Sequence, residues 1–232
     1  MKLIKVKNYR ELSEKASEII LDEIKNKPNI TIGLATGKTP LKTYRNLVKA
    51  YRKKKVNFSK VKAFNLDEYY PIEKDDKKSY KYYLFKNLFN KINIKKRNIH
   101  LLDGCSKDTV REAKLYEEKI KKNPVDLQIL GIGVNGHIAF NEPGSTFNSK
   151  TRLVNLSPET VKINKYLDKG ITVGISTILK SRKILLLASG KKKAKIVYEL
   201  IKSKPNKSLP ASFLKKHKNF IVIIDKKAGS LL

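Results

Sequence analysis

Residues 30–40 read Ile30-Thr31-Ile32-Gly33-Leu34-Ala35-Thr36-Gly37-Lys38-Thr39-Pro40. A short apolar run ends in a glycine-containing loop, and a proline follows at once. Proline suits the first turn of a helix, where its missing N–H would have no partner anyway. Leu41, Tyr44, Leu47 and Val48 then recur at helical spacing. The segment therefore reads as buried strand, tight loop and helix, the repeating unit of an α/β protein.

The same alternation extends in both directions. Upstream, Leu12, Ala16, Ile19, Ile20 and Ile24 mark an amphipathic helix that Pro28 stops. Downstream, strands are expected at 61–66, 125–132, 183–188 and 220–224, with a short one at 171–173. Helices are expected near 79–89, 108–121 and 191–201. Strands alternating with helices predict a single α/β domain over 1–232, built on a mainly parallel sheet with helices on both faces. No Gly/Ser linker and no internal repeat divides the chain. Ligands of such sheets gather beyond the C-terminal strand ends. The loops after Leu34, Leu66, Leu130 and Ala188 are the polar, glycine-rich or charged ones, so four strand ends point to one site.

Composition narrows the class. Hydrophobic residues make up 40% of the 232, too many for a disordered chain. The net charge of +31 invites a nucleic-acid or membrane reading. The excess is mostly Lys, however, scattered along the chain, and it reads as solvated faces. No specific nucleic-acid partner is expected, although the field attracts anionic substrates. The lone Cys105 excludes an intramolecular disulfide. The opening MKLIKVKNYRELSEKA has no apolar core of a signal peptide and runs into the helical pattern. No stretch is long and apolar enough to span a bilayer. A soluble, cytoplasmic protein without a membrane partner is expected.

The loop at 33–39 is one residue short of a P-loop, since only three residues separate Gly33 from Gly37. Strand, glycine loop and helix N-terminus still offer free N–H groups and a favourable dipole to a phosphate, with hydroxyls from Thr36 and Thr39. The same residues also fit a plain turn with Thr39 as N-cap. Lys193, early in a later helix, opposes the helix dipole unless it faces an anion. It reads equally as a solvated lysine. After the second strand, Asp67 and Glu68 stand out in so basic a chain. Asp67 facing the cleft would serve as a general base, with Glu68 turned away to fix the loop. The alternative is a pair of capping or surface acids.

Residues 131–144 read GIGVNGHIAFNEPG. His137 and Glu142 lie five residues apart among glycines. A histidine can move protons near neutral pH, and a carboxylate beside it orients the ring. A purely structural histidine fits this stretch equally well. His100, His137 and His217 have no metal-ligand spacing, so no metal is expected. There is no Gly-x-Ser-x-Gly elbow. GIGVNG lacks the helix and spaced acid of a dinucleotide fingerprint.

The stretches LATGKTPLKTY, FNLDEYY, GIGVNGHIAFNEPGS, TRLVNLS, ITVGISTIL and LLLASGKKKA closely resemble, in order and over nearly the whole chain, the glucosamine-6-phosphate deaminase family. The related 6-phosphogluconolactonases share a Gly-His turn but not FNEPG. The resemblance implies a modified Rossmann-like fold and a cofactor-independent enzyme that acts on a phosphorylated amino sugar. It implies that Asp67 moves the proton from C2 to C1 and that His137 opens the sugar ring, with Asn135 and Glu142 holding that histidine. Gly37, Lys38, Thr39 and Lys193 would hold the substrate phosphate, and Thr36 and Arg152 would line the substrate site. Galactosamine 6-phosphate as substrate, a lactonase activity, and a noncatalytic sensor or nucleic-acid binder remain as alternatives. The family's mobile lid corresponds to 157–170, which is short here. The lid arginine of longer members has no clear match, with Lys162 and Lys165 as possible substitutes. The oligomeric state is left open.

Overall fold

The apolar runs at 30–34, 125–132, 183–188 and 220–224 become the middle of a seven-stranded sheet. A computed structural model describes residues 1–73, 75–164 and 167–232. In chain order its elements are β1 (Lys2–Val6), α1 (Tyr9–Asn26), β2 (Thr31–Leu34), α2 (Leu41–Arg52), β3 (Lys62–Asn65), β4 (Asp67–Tyr70), α3 (Tyr80–Asn87) and β5 (Ile99–His100). They continue with α4 (Thr109–Lys122), β6 (Leu127–Gly131), β7 (Arg152–Asn155), α5 (Pro158–Asn164), β8 (Lys169–Thr172), α6 (Ile175–Ile178), β9 (Lys183–Ala188), α7 (Ala194–Lys202) and β10 (Phe220–Asp225). The main sheet runs β1-β10-β9-β6-β2-β3-β5 with every pair parallel. Its central strands carry Leu127, Ile129, Leu130, Leu185, Leu186, Val222 and Ile223, all fully buried, as strands covered on both faces require.

From β1 to β5 the chain works toward one edge of the sheet, and from β5 to β10 it works back. Crossovers of right-handed sense place α1, α2 and α3 on one face, and α4 and α7 on the other. Contacts of α2 with both α1 and α3 agree. The crossovers that leave β2 and β6 run in opposite directions, so the switch point lies between these two neighbours, and a crevice for a ligand opens at such a point. The four strands whose loops were singled out lie side by side in the order β9-β6-β2-β3.

Four strands depart from the sequence reading. One is the short β5, left unassigned and paired to β3. The opening residues, read as running straight into a helix, form the edge strand β1, paired to β10. Residues 67–70, expected as a polar loop, form β4. Residues 152–155, left unassigned, form β7. Both belong to a second, antiparallel sheet in the order β4-β8-β7. This small sheet carries the short strand expected near 171–173 as its middle member. A separate apolar cluster of Tyr69, Ile72, Phe140 and Leu156 packs beneath it. Among the described residues, no helix is long and apolar enough to cross a membrane.

Candidate active site

β3 ends at Asn65, and β4 starts two residues later in a different sheet. Asn65 fastens this switch. Its side chain donates to Asp67 O at 2.8 Å and accepts from Leu102 N and Tyr116 Oη. Asp67 is thereby held at the sheet edge and is only 6% exposed. Burial, with the Glu68 charge adding to it, pushes the Asp67 carboxyl up to about 8. Its charge also helps raise the phenols of Tyr44, Tyr69, Tyr80 and Tyr116, after the larger effect of their own burial.

Glu68 points the other way. Its two oxygens accept the backbone N–H groups of Tyr69, Tyr80 and Lys81 at 2.8–3.0 Å. Two of these are the first free N–H groups of α3, and Ser79 Oγ takes the third, from Tyr82. The two adjacent acids therefore divide into one buried acid and one helix cap.

The second half of the site is the turn after β6. Ile138 and Asn141 pair across a tight turn that holds Ala139 at φ 50, a left-handed conformation that costs a residue with a Cβ about 1–2 kcal/mol. The buried Asn141 pins the turn by donating to Ile138 O and Val173 O. Inside this frame His137 Nδ1 lies 3.1 Å from Glu142 Oε2. Burial alone would raise the Glu142 carboxyl. Hydrogen bonds from His137, Thr160 and Asn135, with the histidine charge, hold it down instead, to about 2. A carboxylate can only accept, so Nδ1 carries the proton. The ring's Nε2 edge lies over Gly133, where a Cβ would stand 2.5 Å from the ring. Glycine is required there to seat the imidazole. Asn135 acts chiefly on the carboxylate rather than on the ring, since its Nδ2 donates to Glu142 Oε2 at 2.7 Å and its Oδ1 accepts from His137 N.

Thr172 joins the two halves. It is the register partner of Asp67 in the small sheet, and its hydroxyl accepts from Phe140 N at 3.1 Å. Phe140 also packs against Tyr69 and Tyr80. The strand that carries Asp67 and the turn that carries His137 are thus one assembly.

The loop after β2 is held from outside by tyrosines. Tyr44, Tyr83 and Tyr9 donate to the carbonyls of Ala35, Gly37 and Lys38. Gly37 has φ +89, which favours glycine, and the space around its α-carbon is open. Among the described residues, the backbone N–H groups of Gly37, Lys38 and Thr39 donate to no other group. Thr39 does not cap α2, whose N-cap position is Pro40. The Thr36 side chain is hydrogen-bonded to the Tyr80 hydroxyl.

Lys193 lies in a short 3-10 turn before α7. Its Nζ donates to Ile132 O at 2.6 Å, beyond the end of β6, the strand next to β2. Burial lowers its ammonium. Asp225 fixes the start of that turn by accepting from Ser189 Oγ and Gly190 N. Arg152 is placed differently. Its guanidinium binds Asn141 Oδ1, Ser145 Oγ and Lys150 O, bracing the 141–145 turn. No contact among the described residues joins it to His137, Glu142 or the 36–39 loop. Lys162 is exposed on α5, and Lys165 lies outside the described residues.

Four contributors were absent from the sequence reading: Ser157 and Thr160 beside Glu142, Thr172 between the halves, and Asp225 beneath Lys193. Only Ser157 carried a signal. A Ser followed by Pro-Glu resembles a helix start, yet nothing in it points to Glu142. Cavities of about 440 and 600 Å³ lie along α2 and the loop after it, lined by Arg45, Arg52, Lys54 and Lys55 among others, and contain none of the site residues. Chemistry, not volume, locates the site. Among the described residues no group of three or more His, Cys, Asp or Glu side chains is arranged to hold a metal ion.

A parallel α/β sheet with a buried carboxylic acid, a histidine–carboxylate pair and an open N–H loop at neighbouring strand ends defines an acid–base enzyme for a small anionic substrate. The chain belongs to the glucosamine-6-phosphate isomerases/6-phosphogluconolactonase family, whose model matches residues 5–223. It is 46% identical to the glucosamine-6-phosphate deaminase of Clostridium novyi (strain NT), with full coverage of both chains. The Thermoanaerobacter sp. (strain X514) protein of the same name is also 46% identical and is covered over 95% of its length. A solved structure of a monomeric glucosamine-6-phosphate deaminase superposes with a TM-score of 0.98 at 40% identity, over all of both chains. The 6-phosphogluconolactonase of Leishmania guyanensis shares the fold, with a TM-score of 0.80 at 22% identity over 98% of this chain and 97% of that one.

Proposed function

We propose that the protein converts glucosamine 6-phosphate and water to fructose 6-phosphate and ammonia. The observation that carries this reading is the pairing of two acid–base centres through Thr172: the buried Asp67 on one side and His137–Glu142 on the other. The reaction needs both. With Nδ1 held by Glu142, His137 uses Nε2 to carry the proton from the anomeric hydroxyl to the ring oxygen, which opens the ring to an aldehyde. The aldehyde acidifies the C2 proton. Asp67 removes it to give an enolamine and returns it to C1, leaving an imine at C2. Water adds to the imine and ammonia departs.

A buried acid held near 8 suits this step. The C2 ammonium of a bound amino sugar offsets the burial cost of the carboxylate, so the correct substrate favours the ionised base. The free N–H groups of Gly37, Lys38 and Thr39, with the Thr36 and Thr39 hydroxyls, form the phosphate seat at the start of α2. Lys193 adds charge from the neighbouring strand end. Arg152 supports the turn and, through it, Glu142, rather than gripping the phosphate. Segment 157–170, of which 165 and 166 lie outside the described residues, is assigned as the lid, and the lone thiol Cys105 suits a cytoplasmic setting. The monomeric relative supports a monomeric enzyme.

Assaying glucosamine 6-phosphate, galactosamine 6-phosphate and 6-phosphogluconolactone side by side tests the reading. The expected result is ammonia from the first at a rate at least about tenfold above the other two activities, a gap of about 1.4 kcal/mol. Lactone hydrolysis without ammonia release would replace it with the lactonase reading.

A further inference from the structure

Glu142 owes its position to two hydroxyls from a segment of chain that sequence reading leaves as a lid. Thr160 Oγ1 donates to Glu142 Oε1 at 2.6 Å, and Thr160 is 5% exposed. Ser157 Oγ donates to Thr160 Oγ1 at 3.1 Å and accepts from Asn135 Nδ2 at 3.2 Å. Asn135 Nδ2 also donates to Glu142 Oε2. The protons can be followed around a closed ring. Asn135 has two to give, one to Ser157 and one to Glu142. Ser157 gives its proton to Thr160, and Thr160 gives its own to the second carboxylate oxygen. Each hydroxyl proton has a single acceptor, and the acceptor that ends the chain is ionised.

This ring includes the start of α5. Ser157 is also the N-cap of that helix, its Oγ accepting from Thr160 N and its carbonyl from Val161 N. Ser157 and Thr160, three residues apart, share one helix face. If α5 leaves, Oε1 loses its donor and Asn135 loses one of its two acceptors. Glu142 is then held through Oε2 alone, by Asn135 and His137, and its carboxylate can swing about that oxygen. His137 Nδ1 has Glu142 Oε2 as its main partner, with Thr160 Oγ1 at a longer 3.4 Å, so a swinging carboxylate loosens the imidazole as well.

We propose that Thr160, supported by Ser157, is a positioning residue that locks Glu142 against His137, so that the ring-opening histidine is assembled only while α5 is docked. This rests on the ring-opening role given to His137 above. The side-chain hydrogen bonds of Thr160 run to Ser157, Glu142 and His137 and none reaches the 36–39 loop, so its effect belongs to the chemical step.

The test has two arms. In the first, the protein without substrate is labelled with ¹⁵N in its histidines, and the His137 ring signals are assigned with a His137→Gln variant. At a pH high enough for the ring to be neutral, wild type should show one tautomer, with the proton on Nδ1. Thr160→Val, which keeps the side-chain shape, should show mixed tautomers, and Thr160→Ser should restore the single form. In the second arm, wild type must first release ammonia from glucosamine 6-phosphate. Its failure to do so would count against the proposed function and leave the first arm readable. Thr160→Val should then lose about tenfold to a hundredfold in kcat, as expected for one lost hydrogen bond to a charged acceptor, with KM within about twofold and with rescue by Thr160→Ser. If Thr160→Val fails to fold, Ser157→Ala should show the same changes at smaller size. A single Nδ1–H tautomer retained in the folded variant, or a kcat loss that Thr160→Ser does not rescue, overturns the proposal.

Discussion

Asp67 holds its proton more tightly in the folded chain than in the unfolded one, at about 8 against 3.8. Folding therefore takes up a proton between these values, and stability falls as pH rises through the interval. The burden of the buried acid is absent below about pH 4 and complete above about pH 8. Asn at this position cannot ionise. Asp67→Asn should match wild type in urea unfolding near pH 4 and exceed it near pH 8.5. Equal midpoints at the higher pH would contradict the assigned burial. The base must also be ionised to work, so kcat/KM should rise with pH toward a plateau above about 8. Asp67 was legible as a residue of interest because an acid at a strand end is rare in so basic a chain. Its companion was legible too, since Glu68 was expected to turn away. Helix capping was one alternative left open for the acid pair, but which helix Glu68 caps, one starting twelve residues later, was not legible, because the contact depends on where α3 docks.

The strands that sequence alone revealed are those buried on both faces, such as 183–188, where apolar residues follow one another. Those it missed are short and mostly mixed in polarity: Lys2–Val6 and Ile99–His100 at the two open edges, and Asp67–Tyr70 and Arg152–Asn155 in the small sheet. Their pairing is decided by partners far along the chain, which no local pattern records. The small sheet is nonetheless what unites the site, through Asp67, Thr172 and the turn at Phe140. Element α3 offers a direct check. Its first two N–H groups depend on Glu68. Glu68→Ala leaves them and Tyr69 N without an acceptor in a buried place and should cost about 3 kcal/mol in urea unfolding. A loss under about 0.5 kcal/mol would mean that water replaces the carboxylate fully.

The whole chain carries +31 charges, and no nucleic-acid site is needed to account for them. Such a field draws in a dianionic sugar phosphate from a distance and is screened by salt over about 10 Å at 0.1 M. For glucosamine 6-phosphate, kcat/KM should fall about twofold to tenfold between about 0.02 and 0.5 M salt, mainly through KM. A flat response would mean that the lysines serve only as solvated surface. The fold brings an ionisable acid and a histidine–glutamate pair, distant in sequence, to nearby strand ends linked through Thr172, and the proposed chemistry divides between them. The decisive measurement is the initial rate of ammonia release from glucosamine 6-phosphate, near pH 8, by wild type and by Asp67→Asn. Wild type should turn over, and the variant should lose at least about a thousandfold while remaining folded, as removal of a general base implies. Ammonia release by Asp67→Asn at the wild-type rate would contradict the assignment of Asp67 as the base.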